Sequence, residues 1–182
     1  MRTRTGLALI APLVACGLVP VAASEDPLPD DFNALFAFTC LKHFHAQDKL
    51  PAWIRAHGLE KLPADQAEFF LEDRPGDAWI MVTPGTRYVV SLREDRVCSV
   101  FAQRADPDST RSGFIALVGT APPQIVAKEE FGRGLNNDHE RTVGYSWSRP
   151  KDEAALLFLL TTSDRDDAEI QAMASIAEVR ND

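Results

Sequence analysis

Positive charge is in short supply in this chain: 19 lysines and arginines stand against 27 aspartates and glutamates. Nucleic acids and anionic lipid surfaces both demand a basic footprint, so this balance argues against them and favours a cationic partner. A long clean apolar run is missing too. The most apolar stretch, Gly6 to Ala23, is interrupted by Pro12 and Pro20, which leaves no clean core of the ~18 residues that a membrane span needs. Signatures of catalysis and nucleotide binding are also lacking. There is no G-x-S-x-G elbow, no G-x-x-x-x-G-K-[ST] loop and no dinucleotide fingerprint. No linker or shift of composition divides residues 30–182, so one domain is expected. What remains is ordinary globular composition, 45% hydrophobic and 25% charged with slightly negative mean hydropathy.

The amino terminus differs from the rest. Arg2 and Arg4 give a basic start, the apolar run follows, and the small residues Val21, Ala22 and Ala23 precede the first acids. That order is a secretory signal over residues 1–23, with a polar leader over 24–31 and a folded domain over 32–182. Two cuts compete. Leu13-Val14-Ala15-Cys16 fits a lipobox, in which Cys16 is lipidated and anchors the chain to the outer membrane. A cut after Ala23 instead releases a periplasmic protein. Removing Arg2 and Arg4 lowers the basic count from 19 to 17 against 27 acids, a mature charge of −10.

Three cysteines less Cys16 leave Cys40 and Cys98, an even pair in an oxidising compartment. Their surroundings agree. Phe32, Phe36, Cys40 and Phe44 recur every fourth residue, as on the buried stripe of a helix capped by Asp30 or Asp31. Cys98, Val100 and Ala102 share one face of a strand. A disulfide between the first helix and the third strand is the expectation.

Between and beyond them, helical turns are expected from Pro51 to Gly58 and from Pro63 to Glu68. The periodicity then shortens. Ala78–Val82, Arg87–Leu92 and Val97–Gln103 are β-rich runs separated by turn residues, as in an antiparallel meander. Asp106-Pro107-Asp108 caps a central helix reaching Val118. Strands follow at 124–131, 140–149 and 154–161, the last continuously apolar and so expected to be central and buried on both faces. The tail from Asp164 fits a helix or an edge strand. The fold class is therefore α+β, an antiparallel sheet of about six strands packed by the Cys40 helix and a second, central helix. The two halves repeat the same order of elements.

Chemistry-bearing residues were weighed against plainer roles. His43 and His45 lie about 200° apart on a helix and cannot share one ion from it. His57 beside Gly58 suits the negative end of its helix. His139 sits between Asp138 and Glu140, where it could help to hold a cation. Glu129-Glu130 and Asp166-Asp167 read as solvated faces, and Gly132-Arg133-Gly134 with Asn136-Asn137 as a hairpin connection. Trp79, Tyr88, Tyr145 and Trp147 form either a binding face or core. No catalytic residue, metal ligand or cofactor site is assigned.

Phe36-x-x-x-Cys40, Phe70-Leu71 ahead of Gly76-x-Ala78-Trp79, and Val97-Cys98-x-Val100-Phe101-Ala102 resemble an uncharacterised family of proteobacterial exported proteins and lipoproteins across residues 32–180. The resemblance implies secretion and a Cys40–Cys98 pair, and it implies no activity. Size, acidity and export point to a non-enzymatic binding or inhibitory, immunity-like module that recognises another envelope or secreted protein. Two alternatives stand beside it: a small periplasmic hydrolase or metal-dependent enzyme, and a lipid-anchored envelope scaffold, with membrane contact only through Cys16.

Overall fold

The computed structural model describes residues 31–131 and 136–180; the segment read as an export signal, Cys16, nearly all of the expected leader and the Gly132–Gly134 cluster lie outside them. Asp31 begins the fold, accepting a hydrogen bond from the Ala34 amide (3.0 Å) as the N-cap of α1 (Phe32–Phe36). The helix then widens into a π-helical turn, Ala37–Leu41, where the Thr39 hydroxyl bonds back to the Leu35 carbonyl at 2.6 Å. Such back-bonding loosens a helix. The stripe expected to run unbroken to Phe44 is interrupted, because the chain tightens into a 3₁₀ segment, Phe44–Lys49, kinked at Ala46. Phe32, Phe36, Cys40 and Phe44 are nevertheless all buried.

Helix α2 (Leu50–Ala56) carries Pro51 in its first turn, and Gly58 follows with φ +77°, a geometry that needs glycine. Helix α3 (Ala64–Leu71) runs past the turn expected to stop at Glu68, taking in Phe69 and Phe70. Helix α4 (Pro107–Val118) starts on Asp106, whose carboxylate accepts from the Ser109 amide at 2.7 Å. Asp106, Pro107 and Val118 are the residues from which the sequence places this helix.

One antiparallel sheet holds eight strands, in the order β1-β2-β3-β4-β8-β7-β6-β5. They are β1 (Glu60–Lys61), β2 (Gly76–Val82), β3 (Arg87–Arg93), β4 (Cys98–Ala102), β5 (Val126–Phe131), β6 (Glu140–Ser148), β7 (Ala154–Ser163) and β8 (Ala172–Arg180). The count exceeds the expected six for two reasons. Strand β1 has only two residues, too few to show an alternating pattern. The ambiguous tail is a strand, β8, and it is central rather than an edge, paired with β4 on one side and β7 on the other.

The order is symmetric about the β4–β8 junction, where Val100 faces Ala174. Strand order and register repeat about this junction as a pseudo-two-fold, relating β1–β4 to β5–β8. Phe36 and Phe114 meet across it with ring centroids 5.9 Å apart. Close approach also explains Gly113: a Cβ there would lie 2.3 Å from the Asn33 amide nitrogen, which donates to the Thr110 carbonyl.

Helices α1, α2 and α4 cover one face of the sheet, joined in a core that includes Phe36, Leu50, Ile54, Phe114, Val118, Val90, Phe158 and Ile176. The disulfide belongs to it. Cys40 and Cys98 are bonded, their Cα atoms 5.4 Å apart and 58 positions apart in sequence. Closing a loop of that length is worth about 4 kcal/mol in the chain-entropy treatment. The other face has a smaller core, in which Ala67 and Leu71 of α3 meet Ala78, Val89 and Phe101.

Candidate functional site

The residues first considered for a site are spread apart. Trp79 and Tyr88 are 2% and 6% exposed and belong to the helix-covered core, which takes them off any binding face. Tyr145 and Trp147 are half-buried and pack against the same core, with the Trp147 indole donating to the Val118 carbonyl at 2.7 Å. Trp147 thereby ties the end of α4 to the sheet. His43 is half-buried near Trp53, its Nε2 sealed without a hydrogen-bond partner. Burial first, then the charges of Lys42, Lys49 and His57, depress its pKa, so it rests neutral. His45 is exposed at the edge of the Phe44 ring. His57 stacks on Trp53 and donates from Nδ1 to the Trp53 carbonyl at 2.7 Å, serving the end of α2. Among the described residues no three His, Cys, Asp or Glu side chains converge to hold a metal ion.

His139 is the exception to this scatter. Its Nδ1 lies 3.0 Å from the Asp164 carboxylate, 25 positions away, rather than on the neighbouring acids. The dyad stands at the mouth of a cavity of about 290 Å³, between the start of α4 and the ends of β6 and β7, with Asp108, Arg111, Arg141 and Thr162 on its walls. Both partners of the dyad are more than half exposed, at 60% and 51%, so water screens them from each other. The β7–β8 connection that supplies Asp164 is held by Gln171, which accepts from the Ala105 amide (3.0 Å) and donates to the Arg165 carbonyl (2.9 Å).

A second feature lies on the opposite face. Alternation along β7 sends Leu156, Phe158 and Leu160 into the helix-covered core, and hence Leu157 and Leu159 the other way. Strand β7 was expected to be buried on both faces, and here it is not. Leu157 and Leu159 are half-buried and join neither core, because α3, the helix on this side, packs chiefly on β2 and β3. Cross-strand pairing sets Ser175 and Gly144 beside Leu159, and Ala177 and Ser146 beside Leu157. Val126, 55% exposed, stands opposite Ser148 on the outermost strand. The result is a partly exposed patch of leucine, valine and small side chains on this face of the sheet, with Val126 its most exposed member. At its edge Glu130 accepts from the Ser146 hydroxyl at 2.6 Å and pairs with Lys128 at 3.0 Å. Those two bonds, the hydroxyl's first, pull its pKa below the ordinary glutamate range.

No family model, curated protein or solved structure matches this chain.

Proposed function

We propose that this is a non-enzymatic binding module of the bacterial envelope, which recognises a protein partner through the open half of its sheet. The observation that carries the reading is the uneven cover of the sheet. One half is closed by α3 while the other leaves Leu157, Leu159, Ala177 and Val126 outside the core that α3 covers. Contiguous apolar surface of this kind marks interaction sites. A flat strand surface bearing small side chains suits a broad protein contact rather than the engulfing of a small ligand. The formal charge of −8 sets copies of the chain against one another, and so favours a heterologous, cationic partner over self-association. Export places that partner in the periplasm, either free or beside an outer-membrane anchor if Cys16 is lipidated.

Site-specific photo-crosslinking in the native host tests this. A photoreactive residue at Leu159 should give one discrete adduct, whereas the same residue at Glu68 on α3 should give none. Leu159→Glu should then weaken the purified complex by at least about tenfold, the cost of forcing a charge against an apolar contact. Equal adducts from both positions, or none from Leu159, would sink the reading.

The His139–Asp164 pair favours a hydrolytic alternative to this limited extent: a carboxylate orients the imidazole and leaves Nε2 free as a base. Thr162 supplies the one hydroxyl among the residues lining that cavity. Hydrolysis of generic ester substrates that vanishes in His139→Ala and Thr162→Val would support this second reading over the first.

A further inference from the structure

The cavity beside α4 carries an assignment independent of the docking patch, from which it is separated by the thickness of the sheet. Its walls hold one ion pair, Arg111 with Asp108, and one imidazole–carboxylate contact, His139 with Asp164, each at 3.0 Å. Two further groups are left over. Arg141 forms no ion pair and no side-chain hydrogen bond with any described residue. Thr162 is 2% exposed, yet its hydroxyl has no hydrogen-bond partner among the described residues and is not among the polar atoms sealed inside the protein. What little of that side chain is accessible opens on the cavity. A hydroxyl that opens on the cavity and is not bonded to a described residue is available to hydrogen-bond a group that enters.

Arg141 and Thr162 are also directly opposite one another in the β6–β7 register. Facing residues on one side of an antiparallel pair have Cβ atoms roughly 5 Å apart, so guanidinium and hydroxyl can converge on one bound group. The pseudo-two-fold axis supplies an internal comparison. It maps this pair onto Asp77 and Leu92, which face each other across β2 and β3 and line a cavity of about 220 Å³ in the first half. There the acid is tied to Lys61 at 2.6 Å and an apolar side chain replaces the hydroxyl. Symmetry makes a hollow in both halves, and only the second hollow presents an unpartnered cation with an unpartnered hydroxyl.

We propose that this cavity binds a compact zwitterion of the α-amino acid class. Its carboxylate is held by Arg141 and Thr162, and its ammonium by Asp108 and Asp164. Arginine's planar fork matches a carboxylate in two bonds. Arg111 and Arg141 are matched in number by Asp108 and Asp164, so a polyanion such as phosphate meets as much repulsion as attraction. The volume lies at the low end of small-molecule sites and limits the ligand to about the size of a single amino acid.

The test is an amide-shift titration of the ¹⁵N-labelled mature protein with L-alanine, acetate, methylammonium and inorganic phosphate. L-alanine should shift the amides of Arg111, Arg141 and Thr162 with saturation, and the three other probes should bind at least about tenfold more weakly, each lacking one charge or carrying too much. Arg141→Gln should abolish saturation and the near-isosteric Thr162→Val should weaken it, while Asp77→Asn in the counterpart cavity should change nothing. Arg141 is exposed, so its replacement leaves the fold intact, as an unchanged Tm would show. No shift with L-alanine, tighter binding of acetate or phosphate, or undiminished binding in Arg141→Gln would each overturn the assignment.

Discussion

In the first half of the sheet, β2 and β3 lie between helices on both faces, with α1 and α2 on one side and α3 on the other. In the second half, β6 and β7 have α4 on one side, while α3 on the other packs chiefly on β2 and β3. The strands themselves follow one plan, related by the axis between Val100 and Ala174. Covering one face of a duplicated meander is therefore enough to build a continuous core, since Phe36, Phe114, Val90 and Phe158 all meet there. The second face is closed where stability is concentrated and left open where recognition is proposed. The disulfide sits on the closed side of this division, fastening the π turn after α1 to β4.

The largest expected effect comes from that fastening. Replacing both Cys40 and Cys98 by alanine should lower the free energy of unfolding by about 4 kcal/mol, measured by denaturant titration against the oxidised protein. A loss below about 1 kcal/mol would mean that packing alone holds α1 to β4, and the first half would lose its distinction as the clamped one.

A paired substitution sharpens the contrast more directly. Leu71→Ala removes a side chain that is 5% exposed beneath α3 and should cost about 3 kcal/mol. Leu159→Ala removes the same atoms from the open half and should cost less than about 1 kcal/mol, since a partly wetted site loses little burial and leaves no sealed cavity. Equal losses would show that the second face is as closed as the first.

Much of this division escapes the sequence for identifiable reasons. The stripe Phe32, Phe36, Cys40 and the alternation Cys98, Val100, Ala102 point both cysteines at the same core, and they are bonded there. Asp106 ahead of Pro107 marks α4 because capping is a local event. By contrast, β1 is legible only from its pairing with Ile80 and Trp79. The tail from Ala172 satisfies a helical and an alternating pattern at once, and the strand prevails because β4 and β7 both offer it ladder partners. The continuous apolar run of β7 suggests burial on both faces, since sequence does not show that α3 stops short of it. In sequence His139 stands out only through Asp138 and Glu140, its neighbours in the chain. Its partner, Asp164, arrives through a fold-level hairpin that no local spacing records.

Acidity offers a smaller probe of the closed half. His43 is held below its ordinary pKa, chiefly by burial, in the layer of α1 and α2. An imidazole whose folded pKa is depressed is protonated first in the unfolded chain. Its penalty is therefore absent above the unfolded value near 6.5 and grows as the pH falls from there to the folded value. Stability should drop on acidification through this range, and His43→Phe should flatten that part of the profile. An identical slope in the variant would place the acid-sensitive group elsewhere.

The smallest expected effect belongs to the edge of the open half. Glu130 is held below the ordinary carboxylate range, first by the Ser146 hydroxyl and then by Lys128. A carboxylate with a depressed folded pKa stabilises the protein above its unfolded value, and loses that contribution as the pH falls through the folded one. Ser146→Ala should therefore cost only about 0.5 kcal/mol at neutral pH, because the partly exposed carboxylate regains water in exchange. The difference between variant and parent should close only as the pH falls through the depressed folded pKa, where Glu130 becomes protonated in both. A cost above about 2 kcal/mol would require a carboxylate truly shut away from solvent. That result would undo the contrast between the halves, since Glu130 and Ser146 share the sheet face on which Leu157 is left uncovered.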